Sequence, residues 1–160
     1  MGLAWDTVYT DFSKAFDSVS YQRLLKKLYA YGIRGNLYKW IENFLSNRRQ
    51  RVSVGSEKSH WQTVSSGIPQ GSVLGPVLFI VFINDMPNTV KSLIKLFADD
   101  AKIYKAIESV HDISIIQDDI DKLYQWSLDW QLPLNIGKCK VIHFGRDNPN
   151  HEYKMNGHPL

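Results

Sequence analysis

Acidic side chains stand at two places where strand-like runs stop. Asp11 lies near the end of the run Thr7 to Phe12, and Asp99-Asp100 separates Leu93 to Ala98 from Ala101 to Ile107. If the first strand lies beside a hairpin with Asp99-Asp100 at its tip, the three carboxylates converge. Clustered carboxylates repel one another and are costly to hold together unless a cation neutralises them. Hard oxygen ligands select Mg²⁺ or Mn²⁺, and two such ions roughly 4 Å apart form the usual clamp for in-line phosphoryl transfer. By spacing alone, an Asp-Asp pair between two strands is more often simply a turn.

The elements that must position these residues follow from hydrophobic period. Tyr21 to Tyr31 reads as a helix with Leu24, Leu25 and Leu28 on one face and Gly32 closing it. Asn36 to Leu45 reads as a second helix, with Leu37, Trp40, Ile41 and Phe44 along one side. Gln50 to Val54 alternates as a half-buried strand does, with Trp61 to Val64 as its hairpin partner. Gly67-Ile68-Pro69-Gln70-Gly71-Ser72 is a glycine-bounded loop whose Ser72 suits a helix N-cap. Val73 to Asn84 is apolar nearly all round, which predicts a fully buried helix ending at Met86-Pro87-Asn88. Ile113, Ile116, Ile120, Leu123, Trp126 and Trp130 mark an amphipathic helix that stops near Pro133. Lys138 to Phe144 reads as a strand. Asn156-Gly157 suits a hairpin turn, but no partner strand is apparent before the last residue. Helices on one face of a mainly antiparallel sheet make an α+β fold, read as one domain over residues 1–160.

Composition excludes several classes. The charge is +3, from 19 Lys+Arg against 16 Asp+Glu, a weak pointer to a nucleic-acid partner. The single cysteine, Cys139, cannot form an internal disulfide, which suits an intracellular setting, nuclear or cytoplasmic. One Cys and five scattered His make no zinc spacing. The longest apolar run, Val73 to Ile83, is too short to span a bilayer, so no membrane partner is expected. Arg48, Arg49 and Arg51 form the densest basic patch, suited to phosphate contacts or to a charged strand edge. Cys139 reads as a small core residue, and Trp126 and Trp130 as core aromatics.

Three segments occur in order: Asp11-Phe12-Ser13-Lys14-Ala15-Phe16-Asp17, then Ser66-Gly67-Ile68-Pro69-Gln70-Gly71-Ser72-Val73-Leu74-Gly75-Pro76, then Leu96-Phe97-Ala98-Asp99-Asp100. They resemble the central polymerase motifs of non-LTR, LINE-type (jockey-like) retrotransposon reverse transcriptases. Phe44-Leu45 with Arg48, Gln50 and Val52, then Ile83-Asn84-Asp85, and Leu134-Asn135 with Lys138-Cys139 fit the same family. The resemblance covers essentially the whole chain and implies a polymerase palm: an RNA-directed DNA polymerase that adds dNTPs to a DNA primer on an RNA template, using two Mg²⁺ ions for which Mn²⁺ can substitute.

Residue by residue, the resemblance implies that Asp11 and Asp99 hold the metals with help from the Phe12 backbone carbonyl, and that Asp100 contributes field beside them. The backbone amides of Ser13, Lys14 and Ala15 would face the triphosphate. Phe16 would be the steric gate that rejects a 2′-hydroxyl, although by pattern alone it reads as a core aromatic. Gln70 would touch the incoming nucleotide and template, although its loop by itself reads as an ordinary helix entry. Lys138 would act as general acid toward pyrophosphate.

The sequence departs from the family at Thr10, where relatives more often carry an apolar residue. It also begins almost at the first motif, so the fingers, thumb and endonuclease of a full retrotransposon protein are expected to lie outside it. A truncated fragment is therefore expected. A catalytically inactive retroelement remnant and another two-metal enzyme such as a nuclease are the competing readings.

Overall fold

Four antiparallel strands carry the acidic residues. In the computed structural model, which describes residues 3–160, β1 (Ala4–Thr10) sits between β7 (Asp100–Ile107) and β8 (Lys140–Phe144), and β6 (Leu93–Phe97) closes the edge. All pairings are antiparallel: Thr10 opposes Ala101, Tyr9 opposes Lys140, and Phe97 opposes Asp100. Side chains alternate across a strand. Ala4, Asp6, Val8 and Thr10 are accordingly buried on one face, while Tyr9 is exposed on the other.

The buried face is covered by α5 (Val110–Trp130), which packs against β7. Its inward residues are Ile116, Asp119, Ile120, Leu123, Trp126 and Ser127. The helix begins three residues before the first of its periodic isoleucines because Ser109 and Asp112 form a reciprocal capping box. Fully buried Asp119 accepts the N–H groups of Lys91 at 2.8 Å and Ser92 at 2.7 Å, which ties the entry of β6 to α5. Asp6, also fully buried, accepts hydrogen bonds from Tyr153 at 2.7 Å and Asn148 at 2.7 Å and lies 2.6 Å from His143 Nδ1. Those bonds bring the last segment of the chain back onto β1.

That last segment is a hairpin. β9 (Lys154–Met155) pairs with β10 (His158–Pro159), so the partner strand missing from the sequence reading is present. Two residues suffice because Asn156 and Gly157 both take positive φ, +51° and +78°, as a type I′ turn requires.

The described residues divide into two compact units: Ile83–Leu160 with the segment up to Ala15, and Phe16–Phe82. The second holds α2 (Tyr21–Ala30), α3 (Gly35–Leu45) and most of α4 (Leu74–Ile83). Its core is built on Leu24, Leu28, Ile41, Leu45, Leu78, Phe79 and Phe82. Lys27, 4% exposed, donates its ammonium to the Phe82 carbonyl, so its charge meets the carbonyl end of α4.

Two sequence expectations fail in this unit. Arg49–Gln50 (β2) pairs with Gln62–Thr63 (β5), but both strands are exposed, as are Val52 and Val54. A second small hairpin, Ser53–Val54 (β3) with Glu57–Lys58 (β4), breaks the expected continuous strand. Helix α4 is buried on one side only, with Val77 and Ile80 more than half exposed, and Val73 just before it is 95% exposed. A helix apolar all round has no periodicity to say which stripe is covered.

Candidate active site

Asp11 sits one residue beyond the last paired residue of β1, on the strand's open face with Tyr9. An isolated bridge between Phe12 and Leu134 fixes the chain there: the Ser13 N–H donates to Pro133 at 2.8 Å, and the Asn135 N–H donates to the Asp11 carbonyl at 2.7 Å. In a bridge of this kind the central residue's own N–H and C=O point away from the partner, so the Phe12 carbonyl faces away from Leu134. The Phe12 ring packs 6.3 Å from that of Trp126, which anchors the turn to α5.

Asp99 occupies the two-residue loop that closes the β6–β7 hairpin, and Asp100 is the first residue of β7. Ala98, the other loop residue, has φ of +52°, a region that side chains with a Cβ seldom adopt and that stores strain at a tight tip. The expected convergence of three carboxylates is not reached. Among the described residues, no three His, Cys, Asp or Glu side chains lie close enough to hold a metal ion.

Asp11 is nevertheless suited to a cation. Its Oδ2 is buried and has no hydrogen-bond donor, while the Lys138 ammonium stands 3.5 Å away. A buried anionic oxygen without a donor is costly, and a positive charge relieves the cost. The oxygens of Asp11 and Asp99 and the Phe12 carbonyl are the hard donors that Mg²⁺ or Mn²⁺ takes. Lys138 closes a 3-10 turn (Ile136–Lys138) rather than starting β8, and buried Cys139 follows it. Burial pushes the Cys139 thiol above its ordinary pKa. The family role read for the Ser13 amide is corrected, because that N–H is already bonded to Pro133. Lys14, with φ of +49°, then swings the chain into a short helix, Ala15–Ser18 (α1).

In the second unit, Phe16 lines a pocket of about 510 Å³ with Pro69, Gln70, Gly71, Ser72, Val73, Gly75 and Pro76. The Phe16 ring is half-buried and stacks on Phe79, with centroids 4.5 Å apart. Ser72 Oγ accepts the Gly75 N–H at 3.0 Å, the expected cap of α4. Gln70 is exposed, and its amide nitrogen donates to Asp17 Oδ1 at 2.9 Å.

The sequence matches the family described as "Reverse transcriptase (RNA-dependent DNA polymerase)" over residues 4–160. The chain belongs to the reverse transcriptase family. It is 31% identical to the RNA-directed DNA polymerase from mobile element jockey of Drosophila funebris over 93% of the chain, and 34% identical to that of Drosophila melanogaster over 85%. It spans 19% and 16% of the lengths of those relatives. Among solved structures, apo telomerase from Candida tropicalis superposes with a TM-score of 0.71 at 11% identity, covering 98% of this chain and 34% of that one. Telomerase from Candida albicans gives 0.68 at 12% identity, covering 96% of this chain and 28% of that one. These structural likenesses establish a shared α+β fold.

Two features of this reverse transcriptase chain lay outside the sequence reading. Arg48, expected to be a candidate phosphate contact, is turned inward. Its guanidinium donates to the carbonyls of Leu45 at 3.1 Å and Ser66 at 3.1 Å, and also to the Gly67 carbonyl and the Tyr21 hydroxyl. It clamps the end of α3 to the Gly67 loop, leaving Arg49 and Arg51 exposed beside Trp61.

The second is a row of lysines across the open sheet face. Lys95 opposes Lys102, Lys102 opposes Tyr9, and Tyr9 opposes Lys140. The Lys102 ammonium lies 5.2 Å from the Tyr9 ring and 5.6 Å from that of Tyr104. None of the three lysines has a carboxylate partner among the described residues. Like charges placed directly opposite one another destabilise a sheet, so the row favours an anion. No single strand's sequence shows it, because each contributes one lysine. Among the described residues, no helix is long and apolar enough to cross a membrane.

Proposed function

We propose that this chain is the palm of an RNA-directed DNA polymerase of a non-LTR retrotransposon, extending a DNA primer on an RNA template with dNTPs. The observation that supports this reading is that Asp11 stands one residue past the last β1–β7 pair, while Asp99 stands in the loop that closes the β6–β7 hairpin on the neighbouring strand. In the proposal, Asp11, Asp99 and the Phe12 carbonyl hold two Mg²⁺ ions, for which Mn²⁺ can substitute, and Asp100 adds negative field beside them. Bound there, the ions would lower the pKa of a primer 3′-hydroxyl and neutralise charge on the leaving pyrophosphate.

The protein's own groups do the positioning, which supplies much of the rate in phosphoryl transfer. Lys138, next to Asp11, would give a proton or a charge to the departing phosphate oxygens. The Phe16–Pro76 pocket takes the nucleotide, with the Phe16 ring against the sugar and Gln70 at its polar side. The amides of Lys14 and Ala15 face the triphosphate. The row Lys95, Lys102 and Lys140 meets the phosphates of template and primer, and in the second unit Arg49 and Arg51 offer phosphate contacts of their own.

The test is primer extension by a chimera in which this chain replaces the matching stretch of a jockey polymerase. Template-dependent dNTP incorporation that disappears in Asp99→Asn supports the reading, because an amide is a poor substitute for an anionic metal ligand. Incorporation that survives Asp99→Asn overturns it.

A further inference from the structure

We propose that Asp17 is a positioning residue that holds the Gln70 side chain so that its Oε1 meets the nucleotide as a hydrogen-bond acceptor. The inference rests on the nucleotide pocket proposed above and adds a residue to it.

Gln70 lies in a loop and is exposed, so nothing in its own segment fixes its amide. An ionised carboxylate only accepts hydrogen bonds. The contact of Gln70 Nε2 with Asp17 Oδ1 at 2.9 Å therefore commits the NH₂ end to Asp17 and turns the carbonyl oxygen to the other side. The pocket that Gln70 lines is then offered an acceptor, complementary to a donor on the base or sugar.

The backbone beneath both residues is fastened. The Ile68 N–H donates to Phe16 at 2.8 Å, the Gly67 N–H to Val19 at 2.8 Å, and Ser66 Oγ to the Asp17 carbonyl at 2.8 Å. A Cβ on Gly67 would lie 2.7 Å from Asp17 Cα and from its carbonyl oxygen, and Gly67 has φ of +84°. Only glycine permits this approach. The spacing from Asp17 to Gln70 is thus set by two segments locked together rather than by side-chain wandering.

Charge supports the assignment. No Lys or Arg pairs with Asp17 among the described residues. An uncompensated carboxylate beside a pocket for a polyanion weakens binding, so a purely electrostatic role would oppose function. Orienting Gln70 gives the carboxylate a use that offsets this.

The experiment measures KM for dNTP and kcat in the jockey chimera. Asp17→Ala and Gln70→Ala should each raise KM about tenfold with kcat little changed, the size of one lost hydrogen bond. The double variant should be no worse than either single one, since both remove the same interaction. A swap guards against misfolding. Gln70→Glu alone should raise KM, because its carboxylate faces Asp17 without a donor. Adding Asp17→Asn should restore most of the loss, because the new amide donates to the new acid. Unchanged KM in Asp17→Ala, multiplying effects in the double variant, or no rescue by the swap overturns the proposal. An unchanged KM in Gln70→Ala would overturn the pocket reading itself, and that outcome is separable because it does not involve Asp17.

Discussion

The Lys138 ammonium lies 3.5 Å from Oδ2 of Asp11, a buried oxygen with no hydrogen-bond donor. The lysine acts as the internal counter-ion of that carboxylate. Lys138→Ala should therefore raise the chain's affinity for Mn²⁺ by up to about fivefold, because a partly exposed ion pair is worth at most about 1 kcal/mol. Paramagnetic broadening of resonances near Asp11 and Asp99 during Mn²⁺ titration reads the affinity directly. In the chimera the same variant should slow incorporation on the order of 100-fold if the lysine is the general acid. Weaker Mn²⁺ binding in the variant, or broadening centred on Asp118 and Asp121, would refute the assignment.

Phe16 stacks on Phe79 and faces the pocket with one side of its ring. Phe16→Val shortens that wall while remaining apolar. Ribonucleotide use by the chimera should rise about 100-fold relative to dNTP use, within the range that shape exclusion in a pocket provides. Single-nucleotide incorporation with paired dNTP and rNTP checks it, and unchanged discrimination would leave Phe16 a packing residue.

The lysine row predicts a salt signature. Each phosphate contact contributes a slope of about −0.7 to −0.9 to log affinity against log salt. Lys102→Ala and Lys140→Ala should each flatten that slope by about one such increment, and weaken primer–template binding alike across sequences. Fluorescence anisotropy over a salt series measures both. A slope that matches the unaltered protein would show that the row faces something other than nucleic acid.

The Ser109 hydroxyl, with Lys105 3.1 Å away, holds the Asp112 carboxyl down to about 2. Its folded pKa lies below its unfolded value, so its stabilisation is present above about pH 4 and is lost as pH falls toward 2. Asp112→Asn should lower Tm at pH 7, by progressively less as pH falls through about 2. Thermal melts of both proteins from pH 7 to pH 2 would show the curves converging, and a constant offset would contradict the cap.

Residue types and spacing alone determined the two acidic stations, the strand–Asp-Asp–strand hairpin, the long helix before Pro133 and the family. These are local properties: a period, a turn pair or a motif read within one segment. The tertiary structure decided what depends on segments far apart in sequence. It aligned one lysine from each of three strands into a row, because register exists only between strands. It turned Arg48 away from solvent, because its acceptors come from Leu45, Ser66 and Gly67. It left Val77 and Ile80 of α4 exposed, because a helix apolar on every side carries no mark of which side is covered. It also joined Asp17 to Gln70 across the chain: the motif holding each residue was legible, but the hydrogen bond between them depends on a glycine that lets two backbones approach within contact.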